Sequence, residues 1–195
     1  MSGGTGIDFM RIRYNAPTIL TFTFVSAAVW ILSLTLFPSL TMNWFMVPGR
    51  NNFSVTSIRN WITLFTHVLG HSNWDHLLSN FTLILLIGPI LEENYGSRNL
   101  LFMIVITALV TGGLNVFFLN TGLLGASGVL FMMILLASFT NFNKGEIPVT
   151  FILILVLYLG REFYNSFTQS NVSEFAHIAG GFCGSLFGFF RPGKY

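Results

Sequence analysis

The sequence predicts an all-α integral membrane protein, a bundle of six transmembrane helices, and three observations lead there. Charged residues make up 8% of the 195 positions and hydrophobic ones 53%, whereas a soluble domain carries about 25% charged residues. Mean hydropathy is +0.71. A chain so poor in charge cannot coat a water-facing surface, so most of its surface must face lipid. Third, six apolar segments reach or approach the roughly 20 residues that a membrane helix needs.

The segments are 17–37, 76–93, 99–119, 124–140, 147–160 and 175–190. Pro17 opens the first, at a position where proline suits a helix start. Glu92 and Glu93 end the second and read as a solvated helix terminus. The fifth and sixth are short, which local bilayer thinning accommodates. Residues 1–16 and 191–195 are short tails around a single membrane domain, 17–190. Between the first two spans, residues 38–75 are too long for a simple connector. With Trp44, Phe45, Met46, Phe53, Trp61, Phe65 and Trp74, this loop is expected to lie in the membrane interface.

Orientation follows from the basic residues. With the N-terminus inside, Arg11, Arg13, Arg98, Lys144, Arg191 and Lys194 lie on the inner side, and Arg50, Arg59 and Arg161 on the outer. That bias predicts both termini in the cytoplasm, and a bacterial inner membrane is the default setting for so small a core. The net charge of +2 suggests no nucleic-acid partner. The single cysteine, Cys183, excludes an internal disulfide.

Ionisable groups inside membrane spans are costly and usually functional. The four histidines are His67, His71, His76 and His177. Three sit just before or at the start of the second span, and His177 lies inside the sixth. Asn80 follows His76 by four residues and shares its helix face. Ser127 opens the fourth span within Gly125-Ala126-Ser127-Gly128. Singly, each has a plain explanation: a serine bonded to its own backbone, a packing histidine, an asparagine joining helices. Together they form a chemical set. A serine hydroxyl needs an adjacent base, and histidine has a suitable pKa. Acyl transfer also needs donors aimed at an oxyanion. Ser127 at a helix start offers backbone N–H groups, and His76 and Asn80 offer side-chain donors. No buried carboxylate is evident to orient His177, so the pair reads as a dyad, and neither a metal nor a cofactor is required. Gly180 and Gly184 form a small-residue face near His177. If that face meets the fourth span, His177 comes beside Ser127. Phe131, one turn after Ser127, is placed to stack on the imidazole.

These residues resemble the rhomboid family of intramembrane serine proteases. The likeness covers roughly residues 61–190 and rests on four blocks in order: His71, His76 and Asn80 preceded by Phe65-Thr66-His67; Leu91 to Ser97; Gly125-Ala126-Ser127-Gly128; and Ala176-His177-Ile178-Ala179-Gly180 with Gly184. The resemblance implies Ser127 as nucleophile, His177 as general base, and His76, Asn80 and the Ser127 N–H as the oxyanion site. It implies that His71 holds the first loop and that Phe131 stands where the family often has tyrosine. It also implies that the fifth span and the 161–174 loop act as gate and cap, and that substrates are single-pass transmembrane proteins within the bilayer. The Trp-Arg pair common in the family's first loop is missing, since Ile62 follows Trp61.

Three other readings compete. An inactive rhomboid-like protein that binds membrane clients would generally lack the serine or the histidine. A zinc-dependent membrane hydrolase could use His67 and His71 if their i, i+4 spacing placed both on one helix face. A small transporter or channel would leave Ser127 and His177 unexplained.

Overall fold

The computed structural model describes residues 13–139 and 172–190, with six further positions between 149 and 160. The helices are α1 (Pro17–Thr35), α2 (Leu40–Trp44), α3 (Ile58–Thr66), α4 (Trp74–Tyr95), α5 (Ser97–Phe118), α6 (Ser127–Phe139) and α7 (Val172–Phe190). Short 3₁₀ turns cover Arg50–Asn52 and His67–Leu69. Among the described residues the fold is all-helical apart from one isolated antiparallel bridge, Val47 to Leu123. Three of the described helices, α1, α4 and α5, are long and apolar enough to cross a membrane, and α6 is a shorter apolar helix. The expected fifth span and the 161–174 loop lie outside the described residues, except that Val149, Ile152, Leu153, Val156, Leu157 and Gly160 are helical and exposed.

Burial places α6 at the centre. Val129, Leu130, Met132, Met133 and Leu136 are each at most 1% exposed, as expected of a helix apolar on all sides and packed all round. The outer helices turn large apolar side chains outward: Phe24 and Leu34 on α1, Leu86 and Ile90 on α4, Phe102 on α5, Phe182 and Phe189 on α7. Exposed apolar area on this scale marks contact with membrane rather than water.

Two glycines set how α6 meets α7. A Cβ on Gly180 would overlap the Gly128 carbonyl, and one on Gly184 would overlap the Met132 carbonyl. The partners advance together, 128 with 180 and 132 with 184, so α6 and α7 run parallel in close backbone contact. Only residues without a side chain permit this approach.

The two carboxylates ending α4 do not both read as a solvated terminus. Glu92 is 4% exposed and accepts hydrogen bonds from the backbone N–H groups of Thr18 (2.8 Å) and Ile19 (3.0 Å). Those are unsatisfied donors of α1's first turn, and a carboxylate also favours that end of the helix dipole. Gly88, one turn earlier, lies so close to Ile19 that a Cβ would sit 2.6 Å from its Cδ1. Glu92→Ala is expected to destabilise the protein by roughly 3 kcal/mol, the scale of buried hydrogen bonds to a charged group. An unchanged unfolding midpoint in detergent would show that the cap contributes nothing.

Candidate active site

The site assembles around the two residues before α6, Gly125 and Ala126. Asn73 caps α4, its Oδ1 accepting from the His76 N–H at 2.8 Å. Asparagine before a helix start is a readable N-cap signal, but its bearing on His76 emerges only here. The cap sets the helix phase so that His76 and Asn80 face one side. The His76 ring then lies against Gly125, where an added Cβ would be 2.5 Å from Cε1 and 2.7 Å from Nε2. Gly125 also has φ +118°, a conformation that glycine alone adopts readily.

Two further histidines hold the same segment. The Ala126 N–H points at His71 Nε2 over 3.4 Å, and Asn80 Nδ2 lies 3.2 Å from the same nitrogen. With two donors converging, Nε2 is the acceptor and Nδ1 carries the proton. His71 therefore links α4 to the residue before Ser127. His67 holds the first loop to α5: its Nδ1 is 3.3 Å from the Thr63 carbonyl, and its Nε2 is 3.3 Å from Thr111 Oγ1. Its own carbonyl accepts from Gly125 N–H at 3.0 Å. Gly112 lets the loop come this near, since a Cβ there would be 3.0 Å from the Leu64 carbonyl.

On the other side stands α7. His177 is 7% exposed and Ser127 9%. The imidazole stacks on Phe131, with ring centroids 4.3 Å apart and planes 8° apart. The Ala176 carbonyl would be 3.2 Å from a Cβ on Gly128, which brings the turn carrying His177 against the first turn of α6. The sequence suggested no buried carboxylate near this histidine. Glu174, one turn before His177 in α7, is 8% exposed.

The helix premise behind a paired His67–His71 metal site fails. The α-helix ends at Thr66, a 3₁₀ turn takes His67–Leu69, and His71 follows Gly70 in the connector. Among the described residues, no group of three or more His, Cys, Asp or Glu is placed to hold a metal ion.

Burial dominates the titration of the two connector histidines. Removal from water pushes His67 down to about 4 and His71 down to about 3. Both are held neutral in the folded state, while in the unfolded chain they protonate near the ordinary value of about 6.5. Their stabilising contribution is therefore intact above that value and lost as pH falls towards 4 and 3. The thermal midpoint is expected to drop steadily between pH 6.5 and 4, and less steeply in His67→Gln. A flat profile in that window would contradict the neutral buried state.

The family follows from a comparison that reaches this whole site. A rhomboid-domain family model matches residues 59–193. The chain belongs to the rhomboid family. Among its rhomboid relatives are two named rhomboid protease GlpG. The one from Haemophilus influenzae is 24% identical over 64% of this chain and 66% of its own length. The one from Pectobacterium atrosepticum is 24% identical over 95% of this chain and 69% of its own length. Rhomboid-like protein 11, chloroplastic, of Arabidopsis thaliana is 24% identical over 82% of this chain and 55% of its own length.

Proposed function

We propose that this rhomboid chain is an intramembrane serine endopeptidase that cuts transmembrane segments of single-pass membrane proteins through Ser127 and His177. The carrying observation is the convergence on Gly125-Ala126-Ser127-Gly128. The α4 residues His76 and Asn80 approach it from one side, and α7 delivers His177 from the other.

In this mechanism Ser127 Oγ attacks the scissile carbonyl carbon as His177 takes its proton. The oxyanion accepts hydrogen bonds from the Ser127 N–H, a first-turn donor of α6 without an intrahelical partner, and from His76 and Asn80. One Asn80 N–H points at His71, which leaves the second for this purpose. Collapse of the intermediate breaks the C–N bond, and His177 returns the proton to the leaving amine. Water, activated by His177, then hydrolyses the acyl-enzyme. Phe131 fixes the imidazole plane.

Six spans with both termini cytoplasmic suit the same reading. Two parallel neighbours, α6 and α7, require the intervening chain to cross back. The helical, exposed apolar positions between 149 and 157 are the part of that return segment that is described. A bacterial inner membrane is the proposed location.

The test is labelling of the detergent-purified chain with a fluorophosphonate. Ser127-dependent labelling that a chelator leaves intact is expected. Folded protein that fails to label even with the gate region loosened by detergent would reject the reading, and chelator-sensitive labelling would favour metal chemistry. His76→Ala and Asn80→Ala are each expected to slow cleavage by about 3 kcal/mol of transition-state stabilisation, roughly a hundredfold, as for a single oxyanion donor. Unchanged kcat in both would remove them from the oxyanion site.

A further inference from the structure

We propose that a cavity in the first loop, lined by none of the residues grouped around Ser127, binds the phosphate of an anionic phospholipid headgroup. The cavity is about 410 Å³, and its walls include Met42, Asn43, Met46, Asn52, Ser57 and Arg59.

Its chemistry is divided. Arg59 supplies a guanidinium, Asn43 and Asn52 supply amide donors, and Ser57 supplies a hydroxyl. Met42 and Met46 form an apolar flank. A guanidinium with neutral donors around it suits phosphate oxygens, which accept several hydrogen bonds at once. The apolar flank suits the start of an acyl chain. Residues 38–75 contain two arginines and one carboxylate, Asp75, which lies in the first turn of α4 and not in the cavity wall, so no lining residue offers Arg59 a carboxylate. The unbalanced positive charge calls for an anion from outside.

The cavity is built rather than incidental. Val47, between wall residues Met46 and Pro48, exchanges two 3.0 Å backbone hydrogen bonds with Leu123. On the other wall, Trp61 Nε1 donates to the Val55 carbonyl at 3.0 Å, and Asn60 Nδ2 reaches the Ser54 carbonyl at 3.4 Å. These bonds shape the 54–61 turn that presents Arg59.

Its surroundings select a lipid as the source of the phosphate. Ile58 is 77% exposed, and Trp44, Val55, Trp61, Ile62 and Phe65 are exposed as well. Tryptophans and apolar side chains beside a basic residue describe a surface seated at the headgroup level. There a phosphodiester is abundant, and a basic residue is drawn to it.

The experiment is a binding titration of the detergent-purified full chain, read by native mass spectrometry and by thermal shift. The ligands are phosphatidylglycerol, phosphatidylcholine and inorganic phosphate. Phosphatidylglycerol is expected to bind more tightly than phosphatidylcholine and to raise the melting midpoint. Arg59→Gln should weaken that binding by roughly five- to tenfold, and Asn52→Ala by a smaller factor. Arg98→Gln, at the other end of α5, should leave it unchanged. Lipid-free melts matching wild type establish that the variants fold. Equal binding of the two lipids, or wild-type affinity in both Arg59→Gln and Asn52→Ala, would overturn the site. If inorganic phosphate alone reproduced the Arg59-dependent shift, the lipid would be overturned as the source. The proposal does not depend on proteolysis, because Ser127→Ala is expected to bind the lipid as wild type does.

Discussion

Ser127→Ala is expected to abolish both fluorophosphonate labelling and substrate cleavage while the protein stays folded, and His177→Ala to do nearly the same. Removing either member of such a pair in a water-soluble serine protease lowers kcat by about six orders of magnitude. Here a loss of at least about four orders is expected, taking both variants below detection in ordinary gel assays. The double variant should lose no more than the single ones, because the two groups act as one unit. Folding is safeguarded by geometry. The serine lies at the first position of α6, and its replacement by alanine removes only an oxygen. His177→Ala removes the ring that stacks on Phe131, so a modest drop in melting temperature is expected there and none with Ser127→Ala. Near-normal turnover in either variant would remove that residue from the chemistry.

Gly180→Val is expected to be the most damaging substitution away from the reacting groups. The hydrogen of Gly180 faces the Gly128 carbonyl directly, and even a methyl group would overlap it. The obstacle is backbone, which cannot swing aside as a flexible side chain could, so α6 and α7 must separate. That breaks the contact bringing His177 alongside the first turn of α6. A destabilisation of several kcal/mol is expected, at the severe end for point substitutions, together with loss of activity. Gly181→Ala is the control: a Cβ there meets only Leu135 side-chain atoms at 3.6 Å, ordinary contact distance. A wild-type melt and full activity in Gly180→Val would refute the close packing.

How much of this was legible depended on what each residue's sequence setting made conspicuous. Ser127, His177, His76 and Asn80 stood out because polar groups inside apolar segments are expensive. The small-residue face at Gly180 and Gly184 was readable too, but not its partner. Which helix it meets depends on contacts between residues 52 apart in number, and periodicity carries nothing about those. Glu92 was read as solvated and Glu174 went unremarked for the opposite reason. Each lies at the end of an apolar run, where carboxylates are ordinarily solvated, and only the packing shows both buried. His67 looked like a third member of a histidine cluster. Its role in tying Gly125 to the first loop runs through its backbone carbonyl, which no side-chain pattern reveals.

The parallel pairing of α6 with α7 also bears on how such a protein is made. Its two proposed reacting groups belong to helices that leave the ribosome with the 139–172 stretch between them, and the later helix is the last one described in the chain. On the proposed mechanism, Ser127 enters the bilayer before its base has been made. The chain would then be inert towards its neighbours in the crowded machinery of membrane insertion, and would gain its chemistry only when Gly180 docks on Gly128. No removable pro-segment is needed for that delay: the order in which the helices arrive supplies it.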